Sequence, residues 1–87
     1  AVLRVALNRP QALNALNEAL ARELYAAARA ATHEPAVRAV LLTGEGRGFC
    51  AGADLAPGQL PADPAISRGA NTRRLLDELF NPLVLAW

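Results

Sequence analysis

Residues 44–55, Gly-Glu-Gly-Arg-Gly-Phe-Cys-Ala-Gly-Ala-Asp-Leu, hold the side chains and peptide groups whose types and spacing bear on chemistry. Four glycines fall between Gly44 and Gly52. Glycine loses more backbone entropy on folding than other residues, so this density suits a loop that needs positive φ angles or open access to its own peptides. Such a loop can turn a backbone N–H toward a ligand oxygen, and Asp54 can cap the turn or helix that follows. The same composition also serves a flexible surface loop. Glu45 and Asp54 bracket the segment, but a glycine-rich spacer does not set the distance between two carboxylates, so no acid and base pair is assigned to them. Cys50 has no nearby histidine to activate it and reads as a small buried residue. His33, the one histidine, has no metal-ligating partner at suitable spacing and fits a helix end, beside the carbonyls there. The segment lacks the lysine of a phosphate-binding P-loop and the spacing of a dinucleotide fingerprint.

The elements that must position this loop are few. Residues 2–7 alternate loosely and stop at Asn8-Arg9-Pro10, which predicts a strand ending in a turn. Leu16, Leu20, Leu24, Ala27 and Ala31 recur at helical spacing from Leu13 to about Thr32, with Asn14 as the best available cap. Glu18 stands one residue too far from Asn14 for a capping box. His33-Glu34-Pro35 ends the helix, because the residue before proline is pushed out of the helical region. Residues 37–42 then predict a strand buried on both faces, and strand–helix–strand predicts a parallel pair with a right-handed crossover. Pro57, Gly58, Pro61 and Pro64 mark an irregular connector. A helical pattern returns over 69–85, with Leu75, Leu76, Leu79, Phe80, Leu83 and Val84 forming an apolar face that nothing else in the chain pairs. Pro82 is expected to kink that helix or open a new one, with Asn81 as its cap.

Eighty-seven residues allow one small domain, yet 53% are hydrophobic and only 20% charged, as in the interior of a larger enzyme. The net charge of +1 is scattered, and Arg68, Arg73 and Arg74 form the one local basic cluster. Nucleic-acid binding needs a more concentrated basic face. No apolar run is long enough to span a membrane, and the first residues lack the order of a secretory signal. A single cysteine fits a reducing compartment. Two parallel strands with open edges are fewer than a covered parallel sheet uses, so the pattern is expected to be part of something larger.

Leu7-Asn8-Arg9-Pro10, Asn14-Ala15-Leu16, Val40-Leu41-Leu42-Thr43-Gly44 and the run from Gly46 to Leu55 together resemble, in order and spacing, the N-terminal third of the crotonase superfamily, the enoyl-CoA hydratase/isomerase family. The resemblance covers residues 2–55 and is specific for the superfamily rather than for one reaction. It implies an α/β crotonase-like fold of ββα units in a spiral, present as an incomplete N-terminal portion. Residues 1–87 would form a partial domain: strand–helix–strand with the CoA and oxyanion loop over 1–55, a connector over 56–68 and a helix over 69–87. The initial strand and everything beyond Trp87 would be lacking.

The same resemblance implies a cytoplasmic trimer or hexamer of fatty-acid or phenylacetate metabolism. Its substrate would be a coenzyme A thioester, with no redox cofactor, metal, nucleic acid or membrane involved. Carried over by position, the Ala53 N–H is the first of two donors to the thioester oxygen. Asn14, Ala15 and Leu16 lie beside CoA, Ala51, Gly52, Asp54 and Leu55 lie around its adenine and pantetheine, and Arg47 lies near its phosphates. The second donor and the acid–base carboxylates would lie outside this chain, so residues 1–87 alone are expected to be inactive. The tail Asn81-Pro82-Leu83-Val84-Leu85 is also similar to ring-1,2-epoxyphenylacetyl-CoA isomerases. A non-enzymatic alternative is a truncated copy whose open strand edges and apolar helix face bind another protein.

Overall fold

The computed structural model describes residues 1–87. Strands β1 (Val2–Leu7) and β2 (Ala39–Gly44) pair in parallel, from Val2 opposite Ala39 to Leu7 opposite Gly44. Helix α1 (Glu18–His33) is the crossover that a parallel pair requires. Strand β2 begins two residues later than the expected 37–42, because Val37 still closes a turn onto the Glu34 carbonyl at 3.0 Å. Burial on both faces is also corrected. Leu3, Val5 and Leu7 share the inner face with Val40, Leu42 and Gly44, while Val2, Arg4 and Ala6 share an exposed face with Ala39, Leu41 and Thr43. Leu41 is 46% exposed and Val2 63%, since the helices cover only one side of this sheet.

Asn14 is not the cap of α1. A 3₁₀ turn at Pro10–Ala12 leads into Leu13 and Asn14, both left-handed with φ of 52° and 57°. Left-handed residues cannot start a right-handed helix, and Leu16 is drawn into an extended bridge with Ala53. The cap moves to Asn17, whose Oδ1 accepts the Leu20 N–H at 2.9 Å. Glu18 then occupies the first helical position, where a carboxylate suits the positive end of the helix, and it pairs with Arg22 one turn on at 2.7 Å. The helix stops at His33 because Glu34, before Pro35, is extended (φ −106°, ψ 105°). Its buried stripe is Ala21, Leu24 and Ala28, with Leu20, Ala27 and Ala31 of the expected stripe only half-buried beside it.

Residues 56–67 form the irregular connector, and Ser67 caps the next helix by accepting the Ala70 N–H at 3.1 Å. That helix runs through α2 (Arg68–Leu75), a π-helical turn (Leu76–Phe80) and α3 (Asn81–Ala86). Pro82 falls in the first turn of α3, in a helix that runs on unbroken from the π turn, and Asn81 is helical (φ −64°, ψ −45°) rather than a cap. Proline has no N–H and its ring crowds the carbonyl four residues back. The wider π turn just before it absorbs both defects, with the Asn81 N–H reaching back five residues to the Leu76 carbonyl.

The apolar face of this long helix, expected to lie unpaired, is divided. Leu79 and Leu83 are buried against Leu7, Ala21 and Leu24, with Leu75 and Phe80 packed around them, while Leu76, Val84 and Leu85 stay exposed. Seven residues in all are buried, a core too small to round the molecule off. Its radius of gyration, 14.3 Å, exceeds the roughly 12 Å of a compact chain of this length, and its shortest extent is 13 Å. The chain is a slab.

Candidate functional site

The loop after β2 is held against residues 9–16 almost entirely by hydrogen bonds. Asn14 is fully buried and lies at the centre of this network. Its Oδ1 accepts the Arg9 N–H at 2.8 Å, and its Nδ2 donates to the Glu45 and Gly48 carbonyls, each at 2.9 Å. A carboxamide can satisfy two acceptors and one donor at once, which a carboxylate or hydroxyl of similar size cannot. Gly44 lies against the same network. A Cβ there would meet the Phe49 carbonyl, and would stand 2.8 Å from both the Gly48 carbonyl and Asn14 Nδ2.

The second half of the loop runs beside residues 13–16 as a short parallel bridge between Leu16 and Ala53. The Ala51 N–H donates to the Leu13 carbonyl at 3.0 Å, Leu16 to Gly52 at 2.7 Å, and Asp54 to Leu16 at 2.9 Å. In a bridge of this kind the residue between the bonded peptides turns its own N–H to the opposite side. Ala53 is that residue, and its N–H has no acceptor within the chain. Ala53 is exposed and its methyl group is small, so a ligand atom can approach the peptide. Gly52 has φ of +103° with open space around its Cα, so its backbone angle rather than crowding calls for glycine.

Asp54 closes the loop. Its Oδ1 accepts the Ala56 N–H at 3.0 Å, and its Oδ2 pairs with Arg9 Nη1 at 3.1 Å. The Ala56 N–H is the largest influence on this carboxyl and lowers its pKa; partial burial opposes it, and the Arg9 hydrogen bond and charge lower it further. The carboxylate is therefore held ionised and already partnered, which suits an anchor better than a proton carrier.

The nine site positions expected from the sequence thus divide into three. Asn14, Ala15, Leu16, Ala51, Gly52, Ala53 and Asp54 come together in one bridge. Arg47 is exposed and lines a shallow depression with Leu13, Gly48, Phe49, Cys50 and Ala51. Leu55 stands apart, 88% exposed. Cys50 is half-buried against the core, as a small apolar residue, and Glu45 is exposed. His33 ends α1 in an exposed position, and nowhere do three His, Cys, Asp or Glu side chains gather closely enough to hold a metal ion.

Arg9 is the member of the site that the residue pattern did not single out. Its opposite charge to Asp54 was visible, but a separation of 45 residues gives no reason to pair them. Arg73 and Arg74 of the basic cluster lie in ion pairs with Asp77, Glu78 and Asp63 on and beside α2. No helix is long and apolar enough to cross a membrane.

Comparison with known proteins gives the family. The enoyl-CoA hydratase/isomerase family pattern matches residues 2–68. The chain is 42% identical over 82 residues to a protein of Rhodobacter capsulatus described as a probable enoyl-CoA hydratase, covering 94% of this chain and 28% of that protein. It is 38% identical over 84 residues to the 1,2-epoxyphenylacetyl-CoA isomerase of Escherichia coli, covering 95% and 30%. The crystal structure of an enoyl-CoA hydratase from Mycobacterium smegmatis superposes with a TM-score of 0.79 at 39% identity, over 98% of this chain and 31% of that one. The chain spans less than a third of the length of these relatives. By family pattern, sequence and superposition, it belongs to the enoyl-CoA hydratase/isomerase family of the crotonase superfamily, and its α/β fold is part of the crotonase-like domain.

Proposed function

We propose that residues 1–87 supply the CoA-binding loop and the first oxyanion donor of an acyl-CoA hydratase/isomerase. The observation that carries the reading is the Ala53 N–H, left without an acceptor by a bridge that fixes its neighbours. Adding water to an enoyl thioester, or removing a proton beside one, places negative charge on the thioester oxygen. A donor already aimed at that oxygen stabilises the charged transition state more than the neutral ground state. Ala15, Leu16, Ala51 and Gly52 border the approach of the acyl-CoA, and Arg47, exposed beside them, is placed to meet its phosphates. Asn14 and Asp54 are committed to hydrogen bonds within the chain, so their part in this reading is to shape the site rather than to touch CoA through their side chains. Leu55 offers an apolar surface to the thioester's pantetheine.

In this reading the second donor, the acid–base carboxylates and the trimeric or hexameric assembly involve residues outside this chain. The chain itself is then inactive on acyl-CoA esters, and its place of work is cytoplasmic. Isomerisation of 1,2-epoxyphenylacetyl-CoA is a second reading, favoured by the similarity to the Escherichia coli isomerase over nearly the whole chain. A shared oxyanion site serves both reactions.

The test uses the longest natural polypeptide that contains residues 1–87, assayed for hydration of a short enoyl-CoA, isomerisation of its 3-enoyl isomer and consumption of 1,2-epoxyphenylacetyl-CoA. Ala53→Pro deletes the N–H, and loss of one such donor costs about 3 kcal/mol of transition-state stabilisation, or more if the loop is also distorted. Cys50→Ser keeps most of kcat/KM and lowers stability a little by putting a hydroxyl in a half-buried place. A dead Cys50→Ser beside an active Ala53→Pro would move the chemistry to the thiol and overturn the reading.

A further inference from the structure

A single guanidinium nitrogen joins the two halves of the bridge that carries Ala53. Arg9 Nη1 donates both to the Ala15 carbonyl and to Asp54 Oδ2. Ala15 precedes Leu16, and Asp54 follows Ala53; Leu16 and Ala53 are the bridged pair. The guanidinium therefore grips the residue next to each bridge partner, on opposite sides of the seam. Arg9 is itself immobilised, since its N–H donates to the buried Asn14 Oδ1 and its carbonyl accepts from Ala12 and Asn14 at 2.9 Å. The two side chains of the ion pair are only 21% and 12% exposed, unlike the solvated pairs along α2. A partly buried pair that also bonds a main-chain carbonyl fixes geometry more firmly than an exposed one, which is loosened by water and salt.

We propose that Arg9 is a positioning residue for the Ala53 N–H, setting the direction of that donor by clamping Ala15 to Asp54. The inference rests on the reading of Ala53 as an oxyanion donor. Its consequence is specific. Without the clamp the bridge can still form through the bonds at Leu16 and Asp54, but residues 53–56 gain freedom to rotate. Misdirecting a donor by a fraction of an ångström weakens transition-state stabilisation while leaving most of the binding surface intact.

The experiment reads the donor directly, through the infrared carbonyl stretch of a saturated, unreactive acyl-CoA bound to the longest natural polypeptide containing residues 1–87. A well-aimed N–H polarises the thioester carbonyl and lowers its frequency relative to water. In Arg9→Gln that shift falls by about half or more, and kcat on the best acyl-CoA falls at least about tenfold while KM changes less than about threefold. Arg9→Lys, which keeps the charge and a donor, recovers part of both. Arg29→Gln, an exposed change on α1, leaves both at the wild-type value.

A wild-type shift that Ala53→Pro reduces but Arg9→Gln leaves whole, with only the melting temperature lowered, overturns the positioning role and spares Ala53. A wild type with no shift, or a shift that Ala53→Pro leaves undiminished, overturns the oxyanion reading and the role of Arg9 with it. Should Arg9→Gln fail to fold, Asp54→Asn removes the charge from the other end of the clamp. The same loss of carbonyl shift is expected there, and an unchanged shift overturns the proposal.

Discussion

Residues 44–54 and the helix through residues 68–86 both pack on the β1–α1 frame, yet they are held by different forces. The loop is fastened by hydrogen bonds from Asn14, Arg9 and the bridge peptides, with Phe49 and Leu13 left exposed. The long helix makes no such network with the frame and is held by Leu79 and Leu83 against Leu7, Ala21 and Leu24. Hydrogen bonds are directional and fix peptide orientation, whereas apolar burial is roughly proportional to area and tolerates sliding. A region that must aim an N–H is therefore built with the first kind of fastening. The π turn at Leu76–Phe80 shows how the second kind accommodates a local defect without losing the contact.

The largest expected effect comes from removing the centre of the polar network. Asn14→Ala leaves the Arg9 N–H and the Glu45 and Gly48 carbonyls without their partner, and each buried unsatisfied group costs about 1–3 kcal/mol. A total loss of about 3 kcal/mol or more follows, read as a fall in the denaturant midpoint and as fast hydrogen exchange at Ala51 and Asp54. Slow exchange at those amides in the variant would show that the bridge stands without Asn14. Next comes Leu83→Ala on the other side of the comparison, at about 2–4 kcal/mol from lost burial and the remaining cavity. Its exchange signature falls on residues 68–86 and spares Ala51 and Asp54. Equal acceleration in both regions would mean that they open together and that the two fastenings form one unit.

A smaller effect separates space from backbone angle among the glycines. At Gly52 a methyl group meets nothing, and φ of +103° is the whole obstacle, so Gly52→Ala costs about 1–2 kcal/mol. Gly48 has neither a positive φ nor a close neighbour, its nearest being Leu13 Cδ2 at 4.0 Å, so Gly48→Ala stays within about 0.5 kcal/mol of the wild type. Denaturant midpoints of the two variants check the order, and a reversed order removes backbone angle as the cause.

What the sequence disclosed follows the same division. Local signals were sound where one residue acts on its neighbours. The extent of β1, the stop at Glu34-Pro35 and the proline-rich connector were all legible. They failed wherever a distant partner intervened. The helix was expected from Leu13 because Leu16 and Leu20 fall at helical spacing, but Leu16 is claimed by Ala53, 37 residues on, and the cap moves to Asn17. Strand β2 looked buried on both faces because its residues are apolar, while its outer face lies uncovered among residues 1–87. In the candidate site, the glycine-rich loop was legible from composition, and Ala53 was pointed to by family resemblance alone. The pairing of Arg9 with Asp54 was not legible, because the Leu7-Asn8-Arg9-Pro10 motif names the arginine without its partner 45 residues on.

The smallest expected effect sharpens the role of that clamp by pH. The Asp54 carboxyl is lowered below its ordinary value, first by the Ala56 N–H and then by Arg9, against the opposing effect of partial burial. A carboxyl whose folded pKa lies below its unfolded value of about 3.9 adds stability that is fully present above that value. The contribution is lost as pH falls through the folded pKa, when the protonated group no longer binds Arg9 as a charge. Asp54→Asn keeps an oxygen for the Ala56 N–H but has no charge to lose. The ratio of variant to wild-type exchange rates at Leu16 and Asp54 cancels the intrinsic pH dependence of exchange. That ratio is expected to stand above one near pH 6 and to move toward one only below the ordinary carboxylate range, as pH falls through the lowered pKa and the wild-type carboxyl is neutralised. A ratio constant across this range would mean that the ionised state of Asp54 does not hold the bridge, leaving the hydrogen bonds from Asn14 and the Leu16 peptide as its whole support.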